Sequence, residues 1–189
     1  MTMEVVERQL LFQTRRLRVY VATPEDAVMF FDLWTNPRVM GNVGFPQGLP
    51  ITYEEIVKQL GDQAGQILDA RLVVKVLDTG CSIGECKLGR PNEQGISTTD
   101  VKLLPEYWGQ KYGVEIKQAL LEYLFTHTLC TAVEATPNVK NIASIKMQEA
   151  VGGERVGEIT FNFPESMHSF TTPVHAFVYQ VRRENWVQA

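Results

Sequence analysis

Apolar and polar positions change period several times along this chain, and each change marks an element. Leu17, Val19 and Val21 alternate with Arg18 and Tyr20, the spacing of a strand with one buried face. Thr23-Pro24-Glu25-Asp26 then reads as a helix start, with Thr to cap, Pro at the first helical position and acids at the positive end of the dipole. Ala27, Phe30, Phe31 and Trp34 follow on one helical face, and Asn36-Pro37 stops or redirects the chain. Thr52-x-x-Glu55 forms a capping box ahead of Ile56 and Leu60, which predicts a second helix.

The middle reads as a meander. Residues 71–77, 82–89 and 96–104 are β-rich, separated by Asp78-Thr79-Gly80 and by the turn at 91–95, and Pro105 ends the third strand. Ile116, Leu120, Tyr123 and Leu124 predict a long helix over 112–126. A short strand is expected at 131–135, a helix over 141–151 ended by Gly152-Gly153, and two last strands at 155–163 and 174–182. The order β-α-α-β-β-β-α-β-α-β-β predicts an α+β fold with a mixed sheet: hairpins give antiparallel pairs, and the β-α-β crossover gives a parallel one.

Composition narrows the function classes. With 44% hydrophobic residues over 189 positions the chain can bury a full core, and a net charge of −4 argues against disorder. We find no linker, repeat or low-complexity tract and read 1–189 as one domain with its core at about 14–183. The acidic balance argues against nucleic-acid binding carried by bulk charge. No apolar run approaches the ~20 residues that span a bilayer, and the N-terminus lacks a signal-peptide core. Cys81, Cys86 and Cys130 form no CxxC pair, so reduced thiols in a cytoplasmic protein are expected, and no metal site.

Two motifs carry chemistry. Tyr107-Trp108-Gly109-Gln110-Lys111-Tyr112-Gly113-Val114-Glu115 joins a strand to the long helix, and glycines at a helix entry let backbone amides point at a phosphate. The alternative is an ordinary tight turn; the loop is neither a Walker A nor a GxGxxG motif. Asn138-x-x-Asn141-x-x-Ser144 opens the last helix, where either Asn can cap and Ser144 lies one turn along the face of Asn141.

These motifs, with Arg16-Leu17-Arg18, the 34–40 segment and Ile83-Gly84-Glu85 in the same order, resemble the GNAT acetyltransferase superfamily, in particular the branch of ribosomal-protein N-terminal (alanine) acetyltransferases. The resemblance spans roughly residues 17–181. It implies a mixed, mostly antiparallel sheet of about seven strands flanked by about four helices, with a splay between central strands. It implies acetyl-coenzyme A as co-substrate, its pyrophosphate on Gly109, Gln110, Lys111, Tyr112, Gly113 and Val114. The pantetheine arm would run along Val101, Lys102 and Leu103, with Asn141 touching it. It implies transfer of acetyl to a primary amine, either a protein N-terminus or a small molecule. From the residues themselves we expect no membrane association and a monomer or homodimer.

Two positions depart from the family pattern. Lys111 stands where the loop usually has Gly. Either its Cβ pushes the backbone away from the phosphates, if that position needs a positive φ, or its ammonium contacts phosphate itself. Gly152-Gly153 replaces Gly followed by an aromatic. The resemblance also suggests a backbone amide near Leu103 as oxyanion contact and Ser144 as donor to the leaving thiolate. Glu85 and Glu158 are rival bases acting through water, with His168 and His175 behind them. Trp34 is assigned to core packing. An α-amine, with pKa near ~8, needs less help from a base than a lysine at ~10.4. The competing reading is a coenzyme A-binding or interaction module on the same fold without turnover.

Overall fold

The structure is a computed structural model and describes residues 8–63 and 65–186. β1 (Leu10–Gln13) pairs antiparallel with β2 (Leu17–Val21), where Leu17, Val19 and Val21 are buried as their alternation predicts. β1 is an eighth strand beyond the seven expected. It is an edge strand with little burial, so its sequence carries no period-2 signal, and pairing with β2 places it.

A single turn at 24–26, in which Asp26 Oδ2 accepts the Thr23 amide at 3.0 Å, leads into α1 (Ala27–Trp34). Leu33, not Phe31, completes its buried face. Asn36-Pro37 starts a helix as well as ending one. Asn36 Oδ1 accepts the Arg38 amide at 3.0 Å and opens the short α2 (Pro37–Met40), which brings the helices to five instead of about four. The capping box forms at α3 (Tyr53–Gly61): Thr52 Oγ1 accepts the Glu55 amide at 3.2 Å and Glu55 Oε2 accepts the Thr52 amide at 2.8 Å.

β3 (Leu72–Val76), β4 (Ser82–Leu88) and β5 (Ile96–Leu103) form the meander. α4 (Tyr112–His127) crosses to β6 (Ala132–Ala135), which lies parallel to β5. α5 (Ile142–Ala150), β7 (Glu154–Phe161) and β8 (Val174–Arg182) complete the chain. The sheet order is β1-β2-β3-β4-β5-β6-β8-β7, antiparallel except at β5·β6. At the end of α5, Gly152 takes φ 80°, and a Cβ on Gly153 would sit 2.7 Å from the Gln148 carbonyl oxygen, so the second glycine is required by close approach.

Two cores lie on opposite faces of the sheet. Phe30, Leu33, Trp34, Ile56 and Leu60 bury Val73 and Leu104 under the first three helices. Ile116, Leu120, Leu121 and Leu124 of α4 cover Val19, Val74, Cys86, Val133 and Val181 on the other. Each fully buried leucine contributes about 1.5–3 kcal/mol, so α4 is fixed to the sheet along its length.

β4 bulges between its two neighbours: Val74 pairs with Gly84, but Lys75 pairs with Ser82. Gly84 lies against β5, where an added Cβ would meet the Lys102 carbonyl oxygen at 2.1 Å. Gly84→Ala should therefore destabilise the fold by about 1–3 kcal/mol, read from chemical denaturation; a loss within about 0.5 kcal/mol would mean that this contact is not tight.

Candidate active site

The site starts from an incomplete pairing. β5 matches β6 only at Ile96, Ser97 and Thr98, although β5 runs on to Leu103. Along its other edge β5 stays paired with β4 up to Gly84↔Leu103. The Gly89 amide donates to Thr98 O at 2.7 Å and the Leu104 amide to Ile83 O at 2.9 Å, which sets the phase of that ladder. Even-numbered residues bond to β4, so the backbone groups of Val101 and Leu103 face away from it, into the gap where β6 has turned off. The Leu103 carbonyl shows this directly: it accepts Trp108 Nε1 at 2.8 Å. Lys102, between them, turns its backbone to β4 and its ammonium to Asp100 and Glu85, so of the three expected pantetheine contacts only Val101 and Leu103 face the gap.

The gap opens at the carboxyl ends of two parallel strands, and the helices that follow both begin there. α4 starts without a side-chain cap. Its N-cap is Lys111, which has no acceptor to offer, so the amides of Tyr112, Gly113 and Val114 lack the partner that Asn36, Thr52 and Asn141 give α2, α3 and α5. Lys111 takes φ 62°, ψ 14°, the left-handed conformation of a glycine, and Gly109 takes φ 77°. The lysine thus takes the positive φ at which a glycine would be unstrained. Gln110 O accepts Arg16 Nη1 at 3.1 Å, and in a trans peptide this turns the Lys111 amide the opposite way.

Arg16 anchors the same turn elsewhere. Its Nε donates to Glu115 Oε2 at 2.7 Å and its guanidinium lies 4.4 Å from the Tyr112 ring centroid. The Arg16 amide and the Thr14 hydroxyl also reach Glu115, at 2.9 and 2.6 Å. Partial burial works to raise the Glu115 carboxyl, but Thr14 and Arg16 outweigh it and hold it below the usual range.

Of the two candidate caps on α5, Asn141 takes the role: its Oδ1 accepts the Ser144 amide at 3.1 Å. Asn138 instead donates from Nδ2 to Asn42 O at 3.1 Å. Met147, one turn beyond Ser144, comes within 3.1 Å of where a Gly113 Cβ would lie, which brings α5 against the start of α4. Ser144 is half-buried there.

The acidic candidates part company. Glu85 is 3% exposed on the α1 face. Its Oε1 accepts Trp34 Nε1 at 2.9 Å and lies 3.3 Å from Lys102 Nζ; its Oε2 lies 3.7 Å from Arg71. Arg71 also stacks 4.8 Å over Trp34. Trp34 is core, as assigned, and is also the donor that fixes this carboxylate. Burial alone would depress the Lys102 ammonium, but Asp100 and Glu85 hold it above its usual range. Glu158 is exposed on β7, two strands beyond β6, with His175 Nε2 at 2.7 Å and Arg155 beside it. Its register partner Phe177 shares a face with Tyr179, whose hydroxyl reaches Glu149 of α5 at 3.0 Å, so Glu158 lies on the opposite face from Glu85. His168 Nε2 lies 2.8 Å from the Phe163 carbonyl oxygen.

The chain between Arg16 and Glu154 matches the family model of the acetyltransferase (GNAT) domain. It belongs to the GNAT acetyltransferases. An uncharacterised N-acetyltransferase, p20, of Bacillus licheniformis is 23% identical over 146 residues, 76% of this chain and 82% of that protein. The ribosomal-protein-S5-alanine acetyltransferase of Vibrio fischeri superposes with a TM-score of 0.72 at 16% identity, covering 93% of this chain and 98% of that one. The spermidine N-acetyltransferase of Vibrio cholerae, solved with coenzyme A and spermine, superposes with a TM-score of 0.73 at 17% identity, covering 91% and 98%. At these identities the superpositions establish the GNAT fold. Among the described residues no group of three or more His, Cys, Asp or Glu could hold a metal ion, and no helix is long and apolar enough to cross a membrane.

One buried group in this GNAT domain is absent from the sequence reading. Lys117 on α4 is 1% exposed, and its Nζ donates to Thr99 Oγ1 on β5. Burial lowers it to about 7, Asp100 pulling weakly the other way. Its place at i−3, i−4 and i−7 from Leu120, Leu121 and Leu124, inside the apolar stripe, was the available signal. Because the folded state holds this proton less tightly than the unfolded chain, the penalty is full below about pH 7 and fades as pH rises toward ~10.4. Lys117→Met should raise the melting temperature at pH 7 and much less at pH 10; an equal gain at both would mean that the buried amine is not depressed.

Proposed function

We propose that this GNAT domain transfers an acetyl group from acetyl-coenzyme A to a primary amine within a ternary complex, with the α-amine of a protein N-terminus favoured over a small-molecule amine. The observation that carries the reading is the pairing deficit: two β5 amides facing a gap, next to a helix start whose three amides have no cap. A diphosphate satisfies the second and an amide-bearing arm the first, so the residues present fit coenzyme A. Gly109, Lys111 and the first turn of α4 would hold the diphosphate, and the Lys111 ammonium adds charge without distorting the loop.

When bound, acetyl-coenzyme A supplies a thioester-activated acetyl group. An arm entering from the loop meets Leu103 first and Val101 deeper. The Leu103 amide therefore takes the arm and the Val101 amide polarises the thioester carbonyl, two residues deeper than the Leu103 contact expected from sequence. Ser144 donates to the leaving thiolate from the facing helix. Asn141 holds the helix start that presents it. Glu85 is committed to Trp34, Lys102 and Arg71 and orders the α1 face without serving as a free base; Glu158 stands apart. An acceptor that arrives partly neutral suits such a site, and an α-amine with pKa near ~8 does so at pH 7.

Coenzyme A should raise the melting temperature of the full chain in a concentration-dependent way; no shift at millimolar ligand would end the reading. Ser144→Ala should lower kcat about tenfold with an N-terminal peptide acceptor and leave KM for acetyl-coenzyme A within about twofold, the signature of a group acting on the transition state. An unchanged kcat would remove Ser144 from proton transfer.

A further inference from the structure

The closed end of the gap carries two buried polar groups that acetyl transfer does not use. Thr99 is the first β5 residue past the last β6 pair, so it sits where the gap begins. Ser97 lies two residues earlier on the same face of β5. The Ser97 hydroxyl is wholly buried and has no hydrogen-bond partner among the described residues. Lys117 reaches Thr99 from α4. An ammonium has three protons to donate, and this contact uses one. A buried hydroxyl without a partner is rare in folded proteins, and one beside a buried ammonium with protons to spare points to a ligand that completes both. A carboxylate would give both groups an acceptor and would set a negative charge beside the ammonium.

We propose that Lys117, Thr99 and Ser97 form an end wall that binds the distal carboxylate of a short dicarboxylic acyl thioester, so that this chain takes such an acyl group in preference to acetyl. The inference rests on the coenzyme A reading and specifies its acyl group. Length supports it. Thr99 lies two residues below Val101, about 7 Å along the strand. A four-carbon dicarboxylic acyl group carries its far carboxyl carbon three C–C bonds past the thioester carbonyl, roughly 4 Å, leaving one hydrogen-bond length to the wall. An acetyl group ends after one bond and leaves Lys117 and Ser97 as they are. Charge supports it as well, because a carboxylate would set a counter-charge in hydrogen-bonding reach of the buried amine, closer than Asp100, which makes no ion pair with it among the described residues. Transfer keeps the same balance as for acetyl: the amine nitrogen bonds to the thioester carbon, the C–S bond breaks, and the amine's surplus proton leaves to solvent. Ser144 protonates the thiolate and recovers its proton from solvent, and the distal carboxylate is unchanged.

The test is calorimetric titration of the full chain with coenzyme A, acetyl-coenzyme A and succinyl-coenzyme A. The wild type should bind succinyl-coenzyme A about tenfold more tightly than acetyl-coenzyme A. Lys117→Met should abolish that preference while holding acetyl-coenzyme A within about twofold, and Ser97→Ala, which removes only a hydroxyl, should reduce the preference about threefold. Equal affinities in the wild type, a preference for acetyl, or a preference that survives in Lys117→Met would each overturn the end wall while leaving the coenzyme A site standing. Failure of all three ligands to bind would overturn the site itself.

Discussion

The parting of β5 from β6 after three residue pairs is the constraint on which this molecule depends. A parallel pair in mid-sheet normally spends every inner-edge amide on its neighbour. Here β5 remains fixed along its β4 edge as far as Leu103, so it cannot turn to follow β6. Gly84 allows that close β4–β5 approach, and α4 pins the strand from below. The amides of Val101 and Leu103 are thereby held in place and left without a strand partner on that side. The same geometry brings the starts of α4 and α5 to the open end, because both helices follow the carboxyl ends of the parallel strands. Ligand sites in α/β sheets arise at such places for the same topological reason.

Charge is distributed by face. On the α1 side, Glu85 and Asp100 stand with Lys102 and Arg71, two of each sign, and Trp34 supplies a further donor to Glu85. That balance makes burial tolerable. On the α4 side, Lys117 has no such counter-charge within hydrogen-bonding reach among the described residues. A fold that neutralises one buried cluster and leaves the other incomplete, at the end of its own cleft, is accepting a local cost in stability, a pattern expected of functional positions.

Much of this was legible from residues alone, and the failures have physical causes. The strands at 17–21, 72–76 and 82–88 and the helices around Leu60 and Leu120 follow from periodicity and capping, because burial on one face imposes those patterns. β1 was not legible, because edge pairing requires little burial. α2 was missed because Asn36-Pro37 serves equally to end one helix and to begin the next. The GNAT frame, the loop at Gly109 and a cap at Asn138 or Asn141 were readable from their order, but not which of the two asparagines takes the role. Which backbone groups of Val101, Lys102 and Leu103 face the gap was not, since that depends on ladder phase, which no residue type encodes. Glu85 and Glu158 looked equivalent in sequence; their separation comes from the strand order, which puts β7 at the far edge of the sheet, and from the register of β7 with β8. Lys117 escaped because lysine at a stripe position reads as solvent-facing until burial is seen.

The account stands or falls on whether those particular amides receive the ligand. Backbone amide chemical shifts of isotope-labelled protein, followed as coenzyme A is added, address this residue by residue. Val101, Leu103 and the Lys111–Val114 amides should move together and become protected from solvent exchange, while Lys102, bonded to β4, should move little. Saturable binding that leaves Val101 and Leu103 unmoved, or that shifts Lys102 as strongly as its neighbours, would contradict it.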